Sequence, residues 1–283
     1  MGTFRLHADR LDQAEIARHR LKERDAVVSH SILRRLSEFR DPQRVCLLCM
    51  QFVAFGISSI SSLAVESSGA DELGRLRGVV RFEGAVPKAE TADETGRKRA
   101  LFEVHPKTRG LRDAVVYWID APADASPDNA KDLPVVVVDQ KDSTFVPHVI
   151  SVRSGQLVKF TNSDSINHNV RTTAIEVKNQ FNVYTGSRNE YLHRFVTDKK
   201  QRPIRLGCDI HAWMSGWVYA FDHPFHAVTD SEGQFELPQL PVGKHRLAIR
   251  QPDGNARRDV TVEIIAGKTT VLDVSFCDAD LMR

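Results

Sequence analysis

Two short segments of the chain hold side chains whose types and spacing suit a metal. Cys208, His211 and Met214 lie in the run LGCDIHAWMSGWV, with two residues between each successive pair, and His168 lies forty residues upstream in TNSDSINHNV. Together they offer one thiolate, two imidazoles and a thioether. Soft sulfur stabilises Cu(I), imidazole nitrogen keeps Cu(II) accessible, and a thioether serves as a weak distant donor, so the set favours one copper ion. Structural zinc is a poorer match because it uses four strong donors. The expected chemistry is a one-electron change at the metal with no transformation of a substrate.

Each of these residues also has an ordinary explanation. A histidine in a turn is usually a surface histidine, and a methionine near Trp213 and Trp217 is usually core. Cys208 could be an inert buried thiol, or could pair with Cys277 in a disulfide. A Cys208–His211 nucleophile pair is a further option, but no orienting residue, helix N-terminus or oxyanion donor is identifiable beside it. The order and spacing of all four residues favour the metal. The remaining histidines His105, His148, His193, His223, His226 and His245 have no partner at ligand spacing, so they read as surface or structural.

The elements that must bring the two segments together are strands. From Leu73 onward hydrophobic residues alternate with period two, and helical patterns are scarce, which predicts an all-β exported part. A middle run of short strands includes Val135 to Val138, Val149 to Val152, Leu157 to Phe160, Leu192 to Val196, Ile204 to Cys208 and Trp217 to Phe221. It places His168 on the turn after the strand ending at Phe160, and Cys208, His211 and Met214 on a loop between two strands. A C-terminal series follows, punctuated by Asp230-Ser231-Glu232-Gly233, Pro241-Val242-Gly243 and Pro252-Asp253-Gly254. That series lacks strands of its own, and Leu76 to Phe82 with Ala114 to Ile119 are the candidates to complete it. The predicted organisation is an inserted middle domain. Its boundaries are a basic N-terminal segment at 1–44, a signal peptide or membrane anchor at 45–70, first strands plus linker at 71–132, the inserted domain at 133–222, and the remaining strands at 223–283.

Composition narrows the partners. The 283-residue chain carries 39 Lys+Arg against 37 Asp+Glu, and residues 1–44 alone hold ten basic against seven acidic residues, leaving 29 and 30 thereafter. No basic surface for nucleic acid is expected from that balance. Val45 to Val65 is uncharged, preceded by Arg34, Arg35, Arg40 and Arg44, and offers Ser62-Leu63-Ala64 as a small-residue cleavage site. That is the pattern of a signal peptide, or of an uncleaved anchor, since 21 residues just span a bilayer. Either places the rest of the chain across a membrane, in the periplasm or otherwise exported, with membrane contact only through the N-terminus. Cys46 and Cys49 fall inside this stretch.

The stretch from Phe145 to Phe221 resembles the cupredoxins: the residues around Pro147 and Gly155, Asn162 and Asp164 before His168-Asn169-Val170, and the Cys-x2-His-x2-Met loop. The loop spacings are similar to amicyanin and the His-Asn-Val form to plastocyanin. VTDSEGQFELPQLPVGKHRLAI resembles the carboxypeptidase-regulatory-like, or transthyretin-like, β-sandwich. The whole from about 73 to 276 resembles methylamine-utilisation-type proteins that join the two. The resemblance implies a Greek-key cupredoxin sandwich inserted in a regulatory-like sandwich, behind an N-terminal helical targeting segment. It implies a type 1 (blue) copper with His168, Cys208 and His211 as equatorial ligands and Met214 axial. It further implies Asn169 clasping the ligand loop, and an electron carrier rather than a catalyst. Where amicyanin has prolines beside the loop histidine, this chain has Ile210 and Ala212. A redox protein such as a cytochrome or dehydrogenase is the implied partner, with Trp213 and Trp217 as a docking patch beside His211. The alternative is a copper storage or delivery module, or a surface-binding sandwich, without an electron-transfer role.

Overall fold

The computed structural model describes residues 73–86, 90–91, 98–99, 102–123 and 129–281. The basic segment at 1–44 and the signal or anchor stretch at 45–70 lie outside these residues. All of the described regular structure is β apart from three short 3-10 turns.

The first strands are β1 (Leu73–Phe82), a short pair β2 (Glu90–Thr91) and β3 (Lys98–Arg99), and β4 (Val115–Trp118). Nine more follow: β5 (Val136–Lys141), β6 (Thr144–Val146), β7 (Val149–Arg153), β8 (Leu157–Asn162), β9 (His168–Thr173), β10 (Asn182–Thr185), β11 (Glu190–Arg194), β12 (Ile204–Gly207) and β13 (Ser215–Phe221). The last are β14 (His226–Val228), β15 (Gln234–Pro241), β16 (Gly243–Gln251), β17 (Ala256–Ile264) and β18 (Thr269–Phe276).

Both ends of this series build one sandwich, from a sheet ordered β15-β1-β18 and a sheet ordered β14-β4-β16-β17. Strict alternation along β1 turns Leu76, Val80 and Phe82 inward, where they meet Leu237, Leu247, Ile249 and Phe276. Gly78 lies opposite Leu272 of β18, and a Cβ there would lie 1.7 Å from the Leu272 carbonyl oxygen. Strand β14 pairs with β4 across the intervening nine strands, His226 opposite Tyr117. The stretch near 88–110, unassigned from sequence, contributes β2, β3 and isolated bridges from Gly110 to Arg81 and from Val104 to Leu111.

The middle strands form a second sandwich of two sheets, β10-β9-β12-β13-β7 and β11-β8-β5-β6. Its core holds Val138, Phe160, Val170, Phe195, Leu206 and Val218, and also Cys208 and Met214. The two sandwiches touch through a small buried cluster of Val115, Tyr117, Val149, Tyr219, Phe221 and Ala248. Asp253 ties the seam, its carboxylate meeting the His148 ring at 2.8 Å and accepting from Trp217 Nε1 at 2.9 Å.

One position differs from the sequence expectation. His168 is the first residue of β9, paired with Thr185 of β10, and not part of the preceding turn. The turn is shorter because Asn162, carried inward by the alternation of β8, closes it. Its side-chain amide donates to the carbonyls of Ile166 and Thr185, both at 2.9 Å.

Candidate metal centre

The loop from 163 to 167 is built around two carboxyl and carboxamide groups. Asn162 Oδ1 receives the Asp164 amide at 3.0 Å, and Asp164 in turn accepts the amides of Asp142 at 2.7 Å and Ser143 at 2.9 Å. Burial alone would raise the Asp164 carboxyl, but the Ser143 amide, the His168 ring and the Asp142 amide outweigh it and hold the carboxyl below its ordinary value. Asp164 is therefore an ionised acceptor at neutral pH.

His168, fully buried, meets Asp164 Oδ2 through Nε2 at 2.8 Å. A carboxylate can only accept, so this ring nitrogen carries the proton and a neutral imidazole keeps its lone pair on Nδ1. That atom faces His211 Nδ1 at 2.9 Å, with Cys208 Sγ 3.9 Å from His211 Nδ1. The ligand atoms of His168, Cys208 and His211 all lie within 4.8 Å of one another. Two nitrogens so placed have close to the separation of donors each about 2.0 Å from one shared ion. The donor set therefore fits a single ion that accepts imidazole and thiolate.

The loop between β12 and β13 supplies the other side. Cys208 is buried at 3 % exposure and Met214 at 1 %, both within the sandwich core, and the Met214 amide closes the loop on the His211 carbonyl at 3.0 Å. His211 is part-buried, beside Ile210 at 50 % exposure. Burial and the neighbouring His168 lower the His211 pKa against the pull of Asp164, which favours the neutral imidazole a metal requires.

Asn169 joins the two segments. Its Oδ1 accepts the Asp209 amide at 2.7 Å and lies 3.2 Å from Cys208 Sγ, while its Nδ2 donates to Asn182 Oδ1 at 2.6 Å. Asn182 Nδ2 donates onward to Asp209 at 2.7 Å, and Arg171 pairs with the same carboxylate at 3.1 Å. Sequence reasoning did not assign roles to Asp164, Asn182, Asp209 or Arg171. A usable signal existed for two of them: an acid four residues before a candidate ligand histidine, and an acid directly after the candidate thiolate.

The two tryptophans part company. Trp213 lies against His211, ring centroids 5.2 Å apart. Trp217 instead packs at the seam with the first sandwich and donates to Asp253. Cys208 and Cys277 are both free, so the disulfide between them is not formed.

No protein-family model matches this chain, and no curated protein matches it in sequence. Among solved structures it is similar to a Cu-containing nitrite reductase from Thermus scotoductus SA-01, at 22% identity and TM-score 0.29, covering 35% of this chain and 26% of that one. The chain thus spans about a quarter of the length of that enzyme. A purple cupredoxin from Nitrosopumilus maritimus aligns at 20% identity and TM-score 0.25, covering 30% of this chain and 98% of its own. A reduced amicyanin variant aligns at 21% identity and TM-score 0.26, with 38% and 98% covered. The described residues are all-β, and their middle strands form a two-sheet sandwich that carries a His-Cys-His cluster.

Proposed function

We propose that this protein binds one copper ion as a type 1 centre, with His168, Cys208 and His211 as the strong ligands and Met214 as the weak one, and cycles it between Cu(I) and Cu(II) as a one-electron carrier. The single observation carrying this reading is the convergence of ligand atoms of His168, His211 and Cys208 within 4.8 Å, with Nε2 of His168 tied to Asp164. A copper ion there would supply the redox change. The chain's own residues orient and shield: Asp164 fixes the tautomer and rotation of His168, Asn169 holds the loop, and burial of Cys208 and Met214 keeps water from the sulfurs.

Nearly constant coordination in both oxidation states is what makes such a site fast, and the part-buried His211 edge is the proposed exit for the electron toward a redox protein. The domain scheme that goes with this reading is a cupredoxin domain at 133–222 inserted in a regulatory-like sandwich. The uncharged stretch from Val45 to Val65, behind its arginines, supports placement outside the cytoplasm.

Voltammetry of the copper-loaded full chain tests the carrier role. A reversible one-electron wave with rapid self-exchange is expected. Slow exchange combined with ready copper loss to a chelator would assign the protein to copper storage or delivery instead.

A further inference from the structure

The seam between the sandwiches holds a cleft whose lining includes none of the His-Cys-His residues. It measures about 370 Å³ and opens between the segment following β11 and the hairpin of β16 and β17. Small-molecule sites favour such seams and begin at roughly this size. Four cationic side chains line it, Lys200, Arg202, Arg250 and Arg257, and no acidic side chain does. The partly buried Trp217 and the buried Tyr117 and Tyr219 are among its other lining residues.

Three of the four cations are held by neighbouring groups. Arg202 is fixed by Asp198 at 2.6 Å, and Arg250 by Asp259 at 2.6 Å and by the carbonyls of Ile249 and Arg258 at 3.0 and 2.9 Å. Arg257 is steadied by Asn255 Oδ1 at 2.9 Å. Such anchoring lowers the entropy lost on binding an anion. Gln251 also lines the cleft, is 1 % exposed, and has a buried amide nitrogen with no acceptor. Leaving such a donor unpaired costs about 1–3 kcal/mol, so an incoming acceptor would relieve it. Burial, with Tyr117 adding to it, holds the Tyr219 hydroxyl protonated and uncharged.

We propose that this cleft binds a small organic anion with a flat aromatic body, the charge meeting the Lys200 and Arg257 side and the ring packing on the partly buried Trp217. The size of the cleft and the lack of any wider excess of basic residues beyond position 44 favour a compact anion over a polyanion. Trp217 stands in β13, three residues after Met214 and opposite Arg205 of β12, so the ligand would sit against a strand that also leaves the ligand loop.

Calorimetric titration of the copper-free full chain with 2-naphthoate tests the site independently of any metal. A single saturable site is expected, weakened about tenfold or more in K200A/R257A, with both replaced side chains exposed in the native protein. Lys200→Glu alone should weaken it as well, and the neutral 2-naphthylmethanol should bind at least about tenfold less tightly than the acid. Absence of saturable binding to the native chain, or equal affinity in K200A/R257A, or equal affinity for the neutral analogue, would overturn the proposal.

Discussion

His168 and Asp164 are joined by a 2.8 Å contact between Nε2 and Oδ2, and this one bond decides which nitrogen of His168 is free. It ties the proton to Nε2 and turns the Nδ1 lone pair toward His211. The carboxylate is itself pinned by two backbone amides of the turn after β5, so the ring orientation is inherited from the packing of two strands.

Asp164→Ala should therefore loosen the ring without removing any ligand. Losing such a supporting group typically lowers metal affinity about 10–100-fold. Competition against a copper chelator measures it. Unchanged affinity would mean that Asp164 does not orient His168.

Asn169→Ala removes the acceptor of the Asp209 amide and the donor to Asn182 at once. The β12–β13 loop should then exchange its amide protons faster at Asp209. Thermal stability should fall by about 1 kcal/mol, because a part-buried backbone donor loses its acceptor. Hydrogen exchange at that amide is the direct readout, and protection equal to the native protein would contradict the role given to Asn169.

Asp253 carries the seam. Replacing it with Ala strips the acceptor from both His148 and Trp217, and about 2–3 kcal/mol of stability should be lost. Asp253→Asn keeps one acceptor oxygen and should lose less. Urea unfolding of the two variants ranks them, and equal midpoints for Asp253→Ala and the native chain would show the seam to be held by its apolar cluster alone.

The pair His223 and His226 sets an acid limit. Burial first, then Arg153, pushes His223 down to about 4, and burial, then His223 and Arg153, pushes His226 down to about 3. Unfolded, each would take up its proton near 6.5. Both folded-state values are lowered, so the stabilisation is complete above 6.5 and is lost as pH falls toward 4 and 3. For His223 this amounts to roughly 2 kcal/mol by about pH 5. Asp113, raised to about 6 mainly by burial, works the opposite way between about 6 and 3.8, so the comparison must be between proteins. The difference in stability between the native chain and His223→Gln should shrink as pH falls from 6.5 to about 5. A difference that stays constant over that window would exclude the histidine as the cause.

The loop ligands were legible because their spacing is local: two residues between Cys208 and His211, and two between His211 and Met214, read the same in sequence and on a tight loop. His168 was legible only by type, since its approach to His211 depends on β9 pairing with β12. The alternation of β1 and β8 gave their inward faces directly. What the alternation hid was polar pairing. Asn162 occupies an inward position where period two expects an apolar side chain, and its hydrogen bonds shorten the turn so that His168 opens a strand. Trp217 illustrates the same limit. Four residues from Trp213, it lies on another surface because Asp253, from a hairpin 36 residues away, captures its indole.

Ligation of copper by the Cys208 thiolate has a direct spectroscopic test. Cu(II) added to the purified full chain should give an intense thiolate-to-copper charge-transfer band in the visible at one equivalent of metal. An EPR signal with the narrow parallel hyperfine splitting of a type 1 site should accompany it. Both should vanish in Cys208→Ser while the fold, judged by far-UV circular dichroism, is kept. A weakly coloured Cu(II) complex with a wide hyperfine splitting, the same in native protein and Cys208→Ser, would contradict the account.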